Sequence, residues 1–180
     1  MCIGIDPGVN GGIALIWSTD PTRPQLFRMP DGETEIWKML SDSVLPNFDL
    51  HGAIELVTGY VPARNKTKGG EDFKHEGQPG SSMFNFGHNR GACLMALIAL
   101  GIDPDQVHPL RWTRFFGMRK DPQETKTRWK NRLRAKAQEL YPRTKVTLNV
   151  ADALLIARWC QVQHADVRTP VSEKRKAVVL

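Results

Sequence analysis

The sequence predicts an α/β domain: a mixed central sheet with its first three strands antiparallel and helices packed on both faces. Three observations predict it. Short apolar runs of strand length at residues 3–5, 12–17 and 52–57 are interleaved with longer segments of helical spacing. A Gly-rich turn, Pro7-Gly-Val-Asn-Gly-Gly, joins the first two runs closely enough for a hairpin. The resulting order of strand, hairpin, strand, helix, strand, long loop, helix, strand and helices is that of a sheet with helices layered on it.

Taken in order, residues 25–29 add a third antiparallel strand after the hairpin. Residues 35–45 carry Ile36, Trp37, Leu40, Val44 and Leu45 near helical spacing. The run 52–57 is a strand with Glu55 near its end. Residues 58–82 are rich in Gly, Lys and polar side chains and have no aliphatic pattern, and so long a loop in a compact domain is usually functional or disordered. Residues 83–100 return to a helical pattern despite Gly87 and Gly91. Residues 106–110 read as a strand, followed by the aromatic segment Trp112-Thr-Arg-Phe-Phe-Gly. Residues 125–140 form a cationic helix that stops before Pro142. Residues 149–163 form another, with Asn149 as candidate N-cap. One domain over residues 1–165 is expected, then a weakly ordered basic tail over 166–180 containing Lys174-Arg-Lys.

The length of 180 residues suits one core. Cys2, Cys93 and Cys160 are odd in number, widely spaced and in apolar contexts, which argues against a disulfide framework or a zinc site. The five histidines (His51, His75, His88, His108, His164) show no ligand spacing. No apolar run approaches the roughly 20 residues that span a bilayer, and the N-terminus lacks a signal-peptide pattern. A soluble, cytoplasmic protein is expected. Charge informs by its location: residues 111–145 hold twelve Lys and Arg against three Asp and Glu, a local balance of +9 in a chain whose total is +6. So concentrated a basic stretch suits a polyanion surface.

The chemistry-bearing pattern is three acidic residues in three separate apolar segments. Asp6 lies in Cys2-Ile-Gly-Ile-Asp-Pro-Gly, Glu55 in Ala53-Ile-Glu-Leu-Val, and Asp152 in Val150-Ala-Asp-Ala-Leu-Leu-Ile-Ala. A carboxylate buried among apolar neighbours is costly unless a cation compensates it. Three such cases suggest a shared cation, and an all-oxygen donor set favours a hard ion, Mg2+ with Mn2+ able to substitute.

These segments, with Phe86-Gly87 and Gly91 and the Trp112-Thr-Arg-Phe-Phe-Gly motif, resemble in their order the RNase H-like superfamily. Within it the chain is similar to RuvC-type Holliday junction resolvases of the compact, phage-like kind, over about residues 2–163. The resemblance implies Asp6, Glu55 and Asp152 as catalytic metal ligands. The family often has a fourth acid three positions before the last, where this sequence has Asn149; its amide could join the site but supplies no charge. Two ions about 3.5 to 4 Å apart would serve phosphodiester hydrolysis, with Asp6 between them.

The resemblance further implies a homodimer acting on branched DNA, above all four-way junctions, in a bacterial cell or phage-infected host, with no membrane partner. DNA contacts are expected from Lys126, Lys130 and Arg134 on the basic helix and from Arg64, Lys66, Lys68 and Lys74 in the long loop, with Tyr60 and Phe73 as stacking residues. Trp112, Phe115 and Phe116 are expected in the core, and Trp37, Trp129 and Trp159 in helix packing. Alternatives are a nuclease for flaps, forks or phage concatemers, a junction-binding protein with an impaired metal site, and an actin-like phosphotransferase, for which the chain is short.

Overall fold

The computed structural model describes residues 1–44, 49–56 and 80–165. The chain runs β1 (Cys2–Asp6), β2 (Gly12–Ile16), β3 (Gln25–Arg28), α1 (Glu33–Ser43), β4 (His51–Glu55), α2 (Gly80–Ala99), β5 (Asp105–Val107), α3 (Pro109–Phe115), α4 (Lys126–Leu140) and α5 (Leu148–Gln163). The strands form one five-stranded sheet in the order β3-β2-β1-β4-β5. β2 runs antiparallel to both of its neighbours, β1 and β3, while β4 runs parallel to β1 and β5 parallel to β4. This is the mixed sheet expected, with the hairpin at its predicted place.

Alternation along the strands sends side chains to two cores. Ile3, Ile5, Ile13, Leu15 and Ile54 pack with Ile36 and Leu40 of α1 and Cys93 and Leu97 of α2. Cys2, Ala14, Ile16, Ala53 and Val107 face the other way, onto α5, with Trp112 of α3 and Leu133 and Ala137 of α4 completing that layer. Both faces are therefore covered by helices. α5 is buried along nearly its whole length, from Val150 to Ala157 without interruption. It lies so close to β1 that a Cβ on Gly4 would sit 2.2 Å from the backbone nitrogen of Ala157, so this crossing requires glycine.

Several local expectations are corrected. Residues 106–110 are not all strand: β5 ends at Val107, and His108 then caps α3, its Nδ1 accepting from the Leu110 amide at 3.2 Å, with Pro109 in the first turn. Proline at that position is pre-shaped for a helix and loses no needed donor. The aromatic motif is thus mostly helix, and Trp112 is buried while Phe115 is largely exposed. The N-cap of α5 is Thr147, not Asn149, which lies inside the first turn. Trp37 on α1 is 42% exposed rather than packed, since Ile36 and Leu40 carry that helix's buried face. Helix α2 begins at Gly80, earlier than expected. Tyr60, Arg64, Lys66, Lys68, Phe73 and Lys74, and the tail over 166–180, lie outside the described residues. Among the described residues no helix is long and apolar enough to cross a membrane.

Candidate active site

Register brings the first two carboxylates together. Ile5 of β1 pairs with Ile54 of β4, so Asp6 and Glu55 leave the C-terminal ends of adjacent parallel strands at one level. By alternation both face the α5 layer, where Asp152 projects from the second turn of α5. The three therefore meet at one end of the sheet, on its α5 side.

Lys130 of α4 enters the same cluster. Its ammonium donates to Asp152 Oδ2 and lies 3.7 Å from Asp6 Oδ2. The Asp152 side chain is only 7% exposed and that of Asp6 14%, so both acids are ion-paired away from bulk water. Trp112 Nε1 donates to Glu55 Oε2 at 3.1 Å, fixing that carboxyl from α3. Asp152 Oδ1 is buried and has no hydrogen-bond partner among the described residues.

One lysine does not neutralise three acids. Burial, and then repulsion from Asp152, pushes Asp6 from an ordinary 3.8 up to about 7 against the opposing pull of Lys130. Burial, with Asp6 and Asp152 adding repulsion, pushes Glu55 up to about 8. Asp152 is also raised by burial, with Lys130 opposing. For Lys130 burial works to lower its pKa, but the charges of Asp152 and Asp6 outweigh it and hold the ammonium protonated. The cluster is short of positive charge. An all-oxygen set of three acids with an orphaned buried carboxylate oxygen fits a hard divalent cation.

A cleft of about 410 Å³ opens onto the cluster, lined by Glu55, Trp112, Lys130 and Asp152 and bordered by Arg114, Arg119 and Lys120. A second concavity of about 580 Å³, between β3 and α1, contains none of these acids. On α4, Arg128 and Arg132 are tied to Glu124, and Lys136 to Glu139. Lys126 and Arg134 have no carboxylate partner among the described residues, and at four-residue spacing they flank Lys130 on one stripe of the helix. Lys130 itself turns into the acids instead of standing free for phosphate. Asn149, one turn before Asp152 on α5, donates its amide to the carbonyl of Asn10 in the β1–β2 turn at 3.0 Å.

Sequence reading left three contributions unassigned. Trp112 is a core residue, as expected, but its indole nitrogen also holds a site carboxyl. Lys130 is part of the acidic cluster. Arg114, Arg119 and Lys120 border the cleft, and their only signal in the sequence was membership of the basic stretch 111–145.

No family model matches the chain. No curated protein matches it. Among solved structures, the chain is similar to Thermus thermophilus RuvC in complex with a Holliday junction substrate, at 15% identity and a TM-score of 0.53 over 87% of this chain and 89% of that one. It is likewise similar to a second Thermus thermophilus RuvC structure, at 14% identity and a TM-score of 0.52 over 91% and 94% of the two chains. The fold is therefore RNase H-like, of the RuvC kind.

Proposed function

We propose that this protein is a metal-dependent, structure-selective DNA endonuclease that resolves four-way junctions by paired phosphodiester hydrolysis, acting as a homodimer. The observation that carries the reading is the convergence of Asp6, Glu55 and Asp152 on one buried, cation-deficient point beside a basic cleft. The RuvC-type fold supports it. Asp6, Glu55 and Asp152 would hold two Mg2+ ions, or Mn2+ in their place, with Asn149 adjoining. Bound there, such ions supply a nucleophilic water at neutral pH and neutralise charge on the departing 3′ oxygen.

The chain's own residues do the rest. Trp112 holds the Glu55 carboxyl in orientation, and Lys130 keeps Asp6 and Asp152 together until a stronger cation competes for them. Arg114, Arg119 and Lys120 at the cleft border and Lys126 and Arg134 on α4 draw in the phosphate backbone without reading sequence. A pair of symmetric cuts across a junction needs two such sites, hence a dimer.

Asn149 favours a second reading, a junction-binding protein with a weakened metal site, because a neutral amide engaged with the Asn10 carbonyl adds no charge to the cluster. Cleavage and binding by the purified protein on junction, fork, flap and linear duplex, with Mg2+, Mn2+ or chelator, separate the readings. Metal-dependent paired nicking of the junction supports the first. Junction binding without nicking in either metal supports the second, and preferential cutting of forks or flaps moves the substrate to another branched DNA.

A further inference from the structure

At the opposite end of the sheet a different donor set converges. Cys160 and His164 lie four residues apart on α5, on one helix face, and Asp105 opens β5 on the sheet face that α5 covers. One sulfur, one ring nitrogen and one carboxylate oxygen from these three residues all lie within 4.8 Å of one another. His164 Nε2 is 2.8 Å from Asp105 Oδ2. Cys2, at the start of β1, is buried in the same core layer as Cys160. The His164 ring stacks on His51 of β4, with centroids 4.2 Å apart and planes at 12°, which sets its orientation.

We propose that Cys160, His164 and Asp105, with water as fourth donor, form a site for a zinc-class divalent ion, separate from the carboxylate cluster. The donor chemistry sets the class: thiolate and imidazole select a borderline-soft ion, whereas the Asp6–Glu55–Asp152 cluster offers oxygen alone. Size agrees as well. Tetrahedral zinc with bonds of about 2.0 to 2.3 Å holds its ligand atoms roughly 3.3 to 3.8 Å apart, so His164 Nε2 and Asp105 Oδ2 would part slightly from 2.8 Å, with the Cys160 thiol already within 4.8 Å of both residues' donor atoms. The ion can arrive from solvent, because the side chains of His164 and Asp105 are 28% and 43% exposed although Cys160 is buried. Cys160 lies eight positions beyond Asp152 on α5, a rise of roughly 12 Å, so this ion would not reach the chemistry at the other end. Its effect is to fasten the C-terminal end of α5 to the beginning of β5, and so to hold the helix that carries Asp152 against the sheet.

The test uses the reduced, metal-stripped full chain titrated with Co2+ and then Zn2+. The expected result is one equivalent of Co2+ that develops a thiolate-to-cobalt charge-transfer band and tetrahedral d–d absorption, both displaced by Zn2+, with Zn2+ raising Tm. His164→Ala and Asp105→Asn, at partly exposed positions, should each weaken this binding at least tenfold, since loss even of groups that only support a metal ligand typically costs about 10- to 100-fold. Asp152→Asn should leave the thiolate band unchanged. Absence of the band in wild type, or unaltered affinity in both variants, overturns the proposal. Because Cys160 is fully buried, Cys160→Ser serves only as a check on the band. None of these readouts depends on DNA cleavage, so the outcome is independent of the nuclease reading.

Discussion

Replacing Lys130 by Met tests the electrostatics of the acidic cluster most directly. At 3.7 Å, the Lys130–Asp6 attraction is roughly 4 to 5 kcal/mol with an effective dielectric of about 20. Removing one partner of a fully buried pair costs about 3 to 5 kcal/mol. The Lys130 side chain is 31% exposed, and the stranded acids can take up protons, so the expected loss at pH 8 is smaller, about 2 kcal/mol. At pH 5.5 Asp6 and Glu55, pushed to about 7 and about 8, are already neutral in the folded state and have less need of the lysine. There the loss should fall to about 1 kcal/mol, the pair with Asp152 and the packing of the aliphatic stem remaining. For a chain of this size these losses correspond to a Tm drop of about 4 to 8 °C at pH 8 and about 2 to 4 °C at pH 5.5. Met keeps the stem and deletes the charge, so its pH dependence isolates the charge. Differential scanning fluorimetry of both proteins at both pH values, with and without Mg2+ or Mn2+, reads the result. The divalent ion should stabilise the variant more than wild type, because it no longer competes with an ammonium. An equal Tm drop at both pH values, together with no larger gain from metal, would refute the reasoning.

Four further outcomes follow from the same geometry. Asp6→Asn, Glu55→Gln and Asp152→Asn should each abolish junction cleavage while leaving junction affinity within about threefold, as gel cleavage and binding assays will measure; near-normal cleavage by any two would remove the metal assignment. The folded-state pKa values of Asp6 and Glu55 stand above their ordinary 3.8 and 4.5, so their contribution to stability is full below about pH 4 and is lost as pH rises through about 7 to 8. Metal-free wild type should therefore lose Tm between pH 5 and 8.5 relative to Glu55→Gln, and a parallel pair of curves would contradict the raised values. Asn149→Asp should increase Mg2+ affinity, read by calorimetry, by adding a negative charge one helical turn from Asp152; a change confined to thermal stability would make Asn149 a purely structural residue. Neutralising Lys126 and Arg134 together should lower the slope of log K against log salt for junction binding by up to about two, and an unchanged slope would move the DNA surface off α4.

The acids were legible in the sequence because a carboxylate inside an apolar run is a local anomaly, visible without knowing its neighbours. The hairpin was legible for a similar reason: a Gly-rich turn between two short apolar runs has few other uses. Helix limits near Pro109 and Thr147 were less so, since capping competes over one or two residues and several polar side chains qualify at each end.

Tertiary structure alone decided where the cations go. Six alternating Lys and Arg on α4 look equivalent in sequence, yet docking of α4 beside α5 turns Lys130 into the acids, ties Arg128 and Arg132 to Glu124, and leaves Lys126 and Arg134 without a carboxylate partner among the described residues. Trp112 reads as core from composition, but the position of α3 beside β4 sets its indole nitrogen on Glu55. The sequence argues against a zinc site because its cysteines are odd in number, widely spaced and in apolar contexts; Cys160, His164 and Asp105 meet only where α5 packs on β5, and the i, i+4 pair on α5 is unremarkable alone. Sequence periodicity encodes backbone state and which side is buried. Which side chains meet depends on strand register and on how closely each helix lies on the sheet, as at Gly4 beneath α5, and those are set by packing among elements that the local pattern does not contain.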